Sequence, residues 1–155
     1  KKYYYWGFWY FNWWAKPMNI VNIKSLIAWI KKEIQNSENP WLQKLQGAKI
    51  LAEPPITEPK GMILQCTVFP PTLESEVSKI AILRCNLSSW DSDIADFDLL
   101  NILESLEWLL CNDEWVIDDL GFGLYKLTEA GGSPPLVDQK WRKIRVKDFY
   151  LHYTL

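Results

Sequence analysis

The chain of 155 residues, about one domain's worth of material, is 48% hydrophobic, so it can bury a real core and disorder is excluded. Seventeen basic against nineteen acidic side chains leave a formal charge of −2, with an isoelectric point near 5.5, which argues against a general nucleic-acid binder. Tryptophan is the compositional outlier, at 10 residues.

Residues 3–15 read Tyr-Tyr-Tyr-Trp-Gly-Phe-Trp-Tyr-Phe-Asn-Trp-Trp-Ala, between Lys1-Lys2 and Lys16-Pro17. The run is short of the roughly 20 apolar residues of a membrane span, and it lacks the small-residue cleavage site of a signal peptide. Three readings stay open. It is an arm docking on a neighbouring protein through Trp6, Phe8, Trp9, Trp13 and Trp14, a segment dipping into a membrane interface, or an extension ahead of a start at Met18. The expected organisation is an aromatic extension over 1–17 and a single domain over 18–155.

After Pro17, Asn19 and Asn22 offer capping oxygens to a helix over Ile23–Asn36, whose apolar face is Ile23, Leu26, Ile27, Ile30 and Ile34. Pro40 ends that segment, and a short helical turn is expected over 41–46. Lys49–Ala52 reads as a short strand before a proline-rich stretch. Met62–Phe69 and Lys79–Leu87 alternate as strands, joined by a polar loop over Thr72–Ser78, and their connection predicts an antiparallel pair. The strongest periodicity predicts a helix over Asp93–Cys111, capped by Ser92 or Asp93, with Leu99, Ile102, Leu103, Leu106, Leu109 and Leu110 facing the core. Trp115–Ile117 and Phe122–Leu127 read as strands, Thr128–Gln139 as a projecting loop, and Trp141–Thr154 as a long final strand with a register break near Asp148. The expected fold class is α+β: a mainly antiparallel sheet of four to six strands packed against two helices, in the order α-β-β-α-β-β.

Cys66, Cys85 and Cys111 have no metal-like spacing. Cys66 and Cys85 fall on neighbouring predicted strands, where one bridge is conceivable, but reduced buried thiols are the expectation. His152 is the single histidine, and no nucleophile elbow surrounds any serine. Gly121-Phe122-Gly123 lacks the further glycine and the lysine of a phosphate loop. The acidic cluster Asp91, Asp93, Asp96 and Asp98 lacks the glycine and terminal glutamate of a calcium loop. The sequence thus predicts no catalytic residue, no metal site, no cofactor, no small-molecule substrate and no enzymatic activity.

Charge is distributed in blocks. Ten carboxylates and no lysine or arginine lie between Asp91 and Asp119, whereas five basic residues and no acid lie between Lys140 and Lys147. Two solvated faces would explain this. So would complementarity between copies, an acidic edge (Asp91, Asp93, Asp96, Asp98) meeting a basic strand (Lys140, Arg142, Lys143, Arg145, Lys147).

From Ile20 to Leu155 the chain resembles the phage tail terminator, or tail completion, proteins. The resemblance rests on the helix Ile23–Asn36, the Gly47-Ala48-Lys49-Ile50 strand start before prolines, and the strands Met62–Val68 and Ile80–Cys85. An Asp-rich turn, the helix Asp93–Cys111 and the closing strand Arg142–Tyr150 complete it. The resemblance implies a structural virion protein of a tail or neck, assembled in the host cytoplasm as a homo-oligomeric ring, typically a hexamer. Such a ring caps the tail tube and contacts the head connector, with copies of itself, tube and connector proteins as partners. The competing expectation is a non-enzymatic accessory protein held at a membrane or membrane complex by the aromatic segment.

Overall fold

In the computed structural model, the described residues are 22–53, 61–90, 94–111, 123–137 and 142–154. The aromatic segment, the strand expected over Trp115–Ile117, and Asp91, Asp93 and Lys140 lie outside them.

Helix α1 (Ile23–Asn36) begins where Asn22 turns its side chain back: the Ser25 N–H donates to Asn22 Oδ1 at 3.1 Å. That bond satisfies one of the donors a helix start leaves without an intrahelical partner. Leu26, Ile27, Ile30 and Ile34 are buried, while Lys24, Lys31 and Lys32 stay in solvent. Pro40 ends this segment and opens the next. In α2 (Pro40–Gln43) it sits in the first turn, where its missing N–H leaves nothing unsatisfied, and Asn39 Oδ1 accepts from the Trp41 N–H at 2.9 Å.

The sheet runs β1 (Lys49–Leu51), β2 (Met62–Val68), β4 (Ser78–Ser89), β7 (Lys143–Thr154), β5 (Leu124–Gly132). Two short strands lie off this path: β3 (Thr72–Leu73) pairs with β4, and β6 (Leu136–Val137) with β7. The pair β2–β4 is antiparallel as expected, and so is every other pair among the described residues except β1–β2, which is parallel. Helix α3 (Asp96–Leu110) connects β4 to the second half of the sheet.

The α+β class and the mostly antiparallel sheet hold, but the order α-β-β-α-β-β and the two-helix packing do not. The described elements follow α-α-β-β-β-β-α-β-β-β, with three helices and seven strands. The difference comes from pieces too short to carry a period. β3 and β6 are two residues each, and only pairing with a long neighbour makes them strands.

Register fixes which residues face the helices. β4 and β7 pair without interruption from Ser78↔Thr154 to Ser89↔Lys143, so partners share a face. Leu83 with Phe149 and Ala81 with Leu151 lie on the helix side, as do Leu64 with Leu87 and Cys66 with Cys85, all at most 1% exposed. From α3, Leu99, Ile102, Leu103, Leu106 and Leu110 close this core, while Leu109 is only half-buried. The break expected in β7 near Asp148 is instead in its partner: β5 shifts register between Glu129↔Phe149 and Gly131↔Asp148. A bulge on the edge strand absorbs the mismatch and leaves the central ladder intact.

Candidate interaction surface

The basic strand and the acidic helix meet within one chain. Lys143, Arg145 and Lys147 alternate along β7 opposite Ser89, Leu87 and Cys85, which turns them toward the helix-covered side of the sheet. Arg145 donates from Nε to Asp96 Oδ1 at 3.1 Å and from Nη2 to Asp96 Oδ2 at 2.8 Å, a two-pronged ion pair. A third bond runs from Arg145 Nη1 to the Ser133 carbonyl at 3.2 Å. Lys147 Nζ reaches Glu104 at 3.1 Å and Glu107 at 2.5 Å, and Lys143 Nζ donates to the Ile94 carbonyl at 2.6 Å.

The bond to Asp96 raises the Arg145 pKa above its ordinary value against a smaller opposing effect of burial. At Lys147 partial burial pulls the ammonium down, but Glu107 and Glu104 together outweigh it and hold the group above its ordinary value.

Arg142 is engaged in another way. Only 7% exposed, it donates from Nε to Ser88 Oγ at 2.7 Å and from Nη2 to the Gly61 carbonyl at 3.2 Å, with its guanidinium 5.3 Å from the Trp90 ring centre. Asp98 turns back on its own helix, where its Oδ2 accepts from the Ala95 N–H at 3.0 Å. The cap residue of α3 is therefore Ala95, and the helix starts three residues later than Asp93 because Asp98 supplies the capping carboxylate. The complementarity expected between copies is thus present inside the chain for Asp96, Arg145 and Lys147.

The projecting loop expected over Thr128–Gln139 is also largely fastened down. Thr128–Gly132 belongs to β5 and Leu136–Val137 to β6. Between them Ser133 is tied to Val146, its N–H donating to the Val146 carbonyl at 2.9 Å and its Oγ accepting from the Val146 N–H at 3.1 Å.

The sheet face opposite the helices carries Ile80, Ile82, Ile144, Val146 and Tyr150, all half-buried, around a central Arg84–Asp148 pair. Both bonds of that pair are 2.9 Å, and the Arg84 guanidinium lies 4.8 Å from the Phe69 ring centre. His152 lies on the same face. Its Nε2 is 2.8 Å from Thr128 Oγ1, but its Nδ1 is 3.7 Å from Glu74 Oε1, beyond hydrogen-bond range. The imidazole thus ties β7 to β5 through Thr128 and lies beside the Glu74 carboxylate.

Cys66 and Cys85 stand directly opposite each other as free thiols, fully buried. The hydrogen bond with Cys66, and then burial, push the Cys85 thiol well above its ordinary value. Among the described residues no cluster of His, Cys, Asp or Glu could hold a metal ion, and no helix is long and apolar enough to cross a membrane.

Among the described residues five large apolar side chains stand exposed and were not singled out by sequence reasoning: Leu73 and Val77 (69% each), Phe97 (66%), Trp108 (84%) and, less so, Leu136 (43%). For the aromatic pair a signal existed, since Phe97 and Trp108 fall off the helical stripe formed by Leu99, Ile102 and Leu106. For Leu73 and Val77 the surrounding Glu and Ser residues mask it.

No family model and no curated protein matches this chain. Among solved structures it is similar to a chain described as "Virion of native gene transfer agent (GTA) particle". The TM-score is 0.58 at 9% sequence identity, over 81% of this chain and 92% of that one. At that identity the likeness establishes a shared fold.

Proposed function

We propose that this chain is a structural protein of a phage-like virion, placed in its tail or neck, where copies form a ring that caps the tail tube and contacts the head connector. The observation that carries the reading is the fold shared with a chain of a gene transfer agent virion over 81% of this chain and 92% of that one. Its work is steric and interfacial, with no turnover and no cofactor. The proposal draws support from the surface as well. Large apolar residues stand exposed on a hairpin tip and on the outer side of α3, two separate places on one chain. Exposed apolar surface of this kind suits contacts with other chains, and head-to-tail contacts close into rings when the rotation permits.

The test is light scattering paired with negative-stain imaging of the same peak, for the chain alone and after incubation with purified tail tubes of a phage-like particle. A discrete multi-subunit mass with ring-shaped particles, or a cap at tube ends, is the expected result. A monomer that forms no ring alone and leaves tube ends bare overturns the reading.

A further inference from the structure

The register sets two free thiols side by side, and the hydrogen-bond pattern says how close. The Phe69 N–H donates to the Ile82 carbonyl at 2.9 Å, one step beyond Val68↔Leu83, so Phe69 and Ile82 form a hydrogen-bonded pair. Such pairs alternate with non-hydrogen-bonded ones along an antiparallel ladder. Counting back past Thr67↔Arg84, which is hydrogen-bonded, Cys66↔Cys85 is a non-hydrogen-bonded pair. Partners of that kind have their Cα atoms only about 4.5 Å apart and their side chains closest. Disulfides span Cα separations of about 4.4–6.8 Å, so a bridge fits with the strands where they are. Both side chains are fully buried on the helix-covered face and share a hydrogen bond. Cys111 has no such place, since it lies at the end of α3 and on no strand.

We propose that Cys66 and Cys85 form an oxidative modification site: with a low-molecular-weight disulfide such as glutathione disulfide as oxidant, the fold closes them into a cross-strand bridge between β2 and β4. The step is two successive exchanges. One protein thiolate attacks glutathione disulfide, forming a mixed disulfide and expelling one glutathione thiolate. The second protein thiolate attacks the protein sulfur of that mixed disulfide and expels the other. The two cysteines lose two electrons and two protons in all, and one glutathione disulfide becomes two glutathione thiols.

Burial decides when this happens. The hydrogen bond with Cys66, and then burial, oppose ionisation of the Cys85 thiol, so the folded pair exchanges slowly. Exchange proceeds while the chain folds or opens, when both sulfurs can be reached. Once closed, the bridge is sheltered from reductants by the same core. Closure of the loop over residues 66–85 removes freedom from the unfolded chain and so stabilises the fold. By linkage the fold favours the bridge to the same extent. This inference goes beyond the virion reading and is independent of it.

The test uses the full chain, reduced and unfolded in urea, then diluted into glutathione buffers of increasing disulfide-to-thiol ratio, with parallel samples kept in urea. After acid quenching and alkylation, non-reducing digestion and mass spectrometry identify which cysteines are joined. The expected result in the folded samples is a single linkage, Cys66 to Cys85, with Cys111 alkylated. Half-closure is expected at a disulfide ratio at least about tenfold lower than in urea. The closed form should melt about 5–10 °C above the reduced one, and dithiothreitol should open it far more slowly in buffer than in urea. Cys111→Ser leaves all of this unchanged, whereas Cys85→Ala, checked for native folding by circular dichroism, gives no bridge between Cys66 and Cys111. Thiols that stay free across the series, a mixture of the possible pairings, or half-closure at the same ratio as in urea overturns the inference. So does a closed form that melts below the reduced one, because the strands would then have to distort to accept the bridge.

Discussion

Arg145 and Asp96 show how a single contact joins distant parts of the sequence. The pair binds the start of α3 to the start of β7, and Asp96 also complements the positive end of its helix. Because a third of the Asp96 side chain is exposed, the coupling is moderate. A double-mutant cycle with Asp96→Ala and Arg145→Met, read by urea denaturation, is expected to give about 1 kcal/mol of interaction energy. Gly123 sets a different constraint. Its φ is +77°, and a Cβ there would meet Thr154 Oγ1 at 2.6 Å and the Thr154 carbonyl at 3.1 Å. The hydroxyl can rotate away; the backbone oxygen and the left-handed conformation remain. Gly123→Ala is therefore expected to lower stability by about 1–2 kcal/mol, seen as a fall of roughly 2–8 °C in melting temperature.

Helix α3 reads differently on its two sides. Leu103 is 1% exposed against the sheet, and truncating it to alanine leaves a cavity, with an expected loss of about 2–5 kcal/mol in unfolding free energy. Trp108, 84% exposed on the outer side, is expected to change stability by less than about 0.5 kcal/mol as Trp108→Ala. Paired urea titrations of the two variants check the contrast. Equal losses would mean that Trp108 is covered in the isolated protein. At the α1 end, Asn22→Ala removes the capping oxygen from the Ser25 N–H and should cost about 1 kcal/mol, measurable as reduced helical signal and a lower urea midpoint.

Over the whole molecule, the chain's charges belong first to its fold. Neutralising Arg142, Lys143 and Arg145 together removes bonds to Ser88, Gly61, Ile94 and Asp96, so the monomer itself should lose stability alongside any effect on assembly. Alkaline pH acts on the same seam. Lys147 is held above its ordinary pKa in the fold, so its contribution is fully present below about pH 10.5 and is lost as pH rises through the raised value. The Cys85 thiol and the Tyr153 hydroxyl, both raised as well, add to the same trend, since the fold opposes their ionisation. Thermal melts are expected to hold steady from about pH 7 to 8.5 and to fall progressively above about pH 9. A flat profile to pH 11 would mean that these groups keep ordinary values.

Much of the framework is legible along the chain because it rests on local period and local chemistry. The spacing of Leu26, Ile30 and Ile34, the asparagine ahead of α1 and the leucine stripe of α3 each need only their neighbours in sequence. The alternation in β2 and β4 likewise predicts their antiparallel pair and sets Cys66 beside Cys85. What only the tertiary structure decides depends on which segments pair rather than on local period. A two-residue strand exists only through its partner, and the shift that lets β7 stay regular is taken up in β5. The charge blocks are plain in the sequence, but their destination is not. Pairing with β4 turns Arg145 and Lys147 toward α3, and a carboxylate 40 or more residues away becomes their nearest counter-charge.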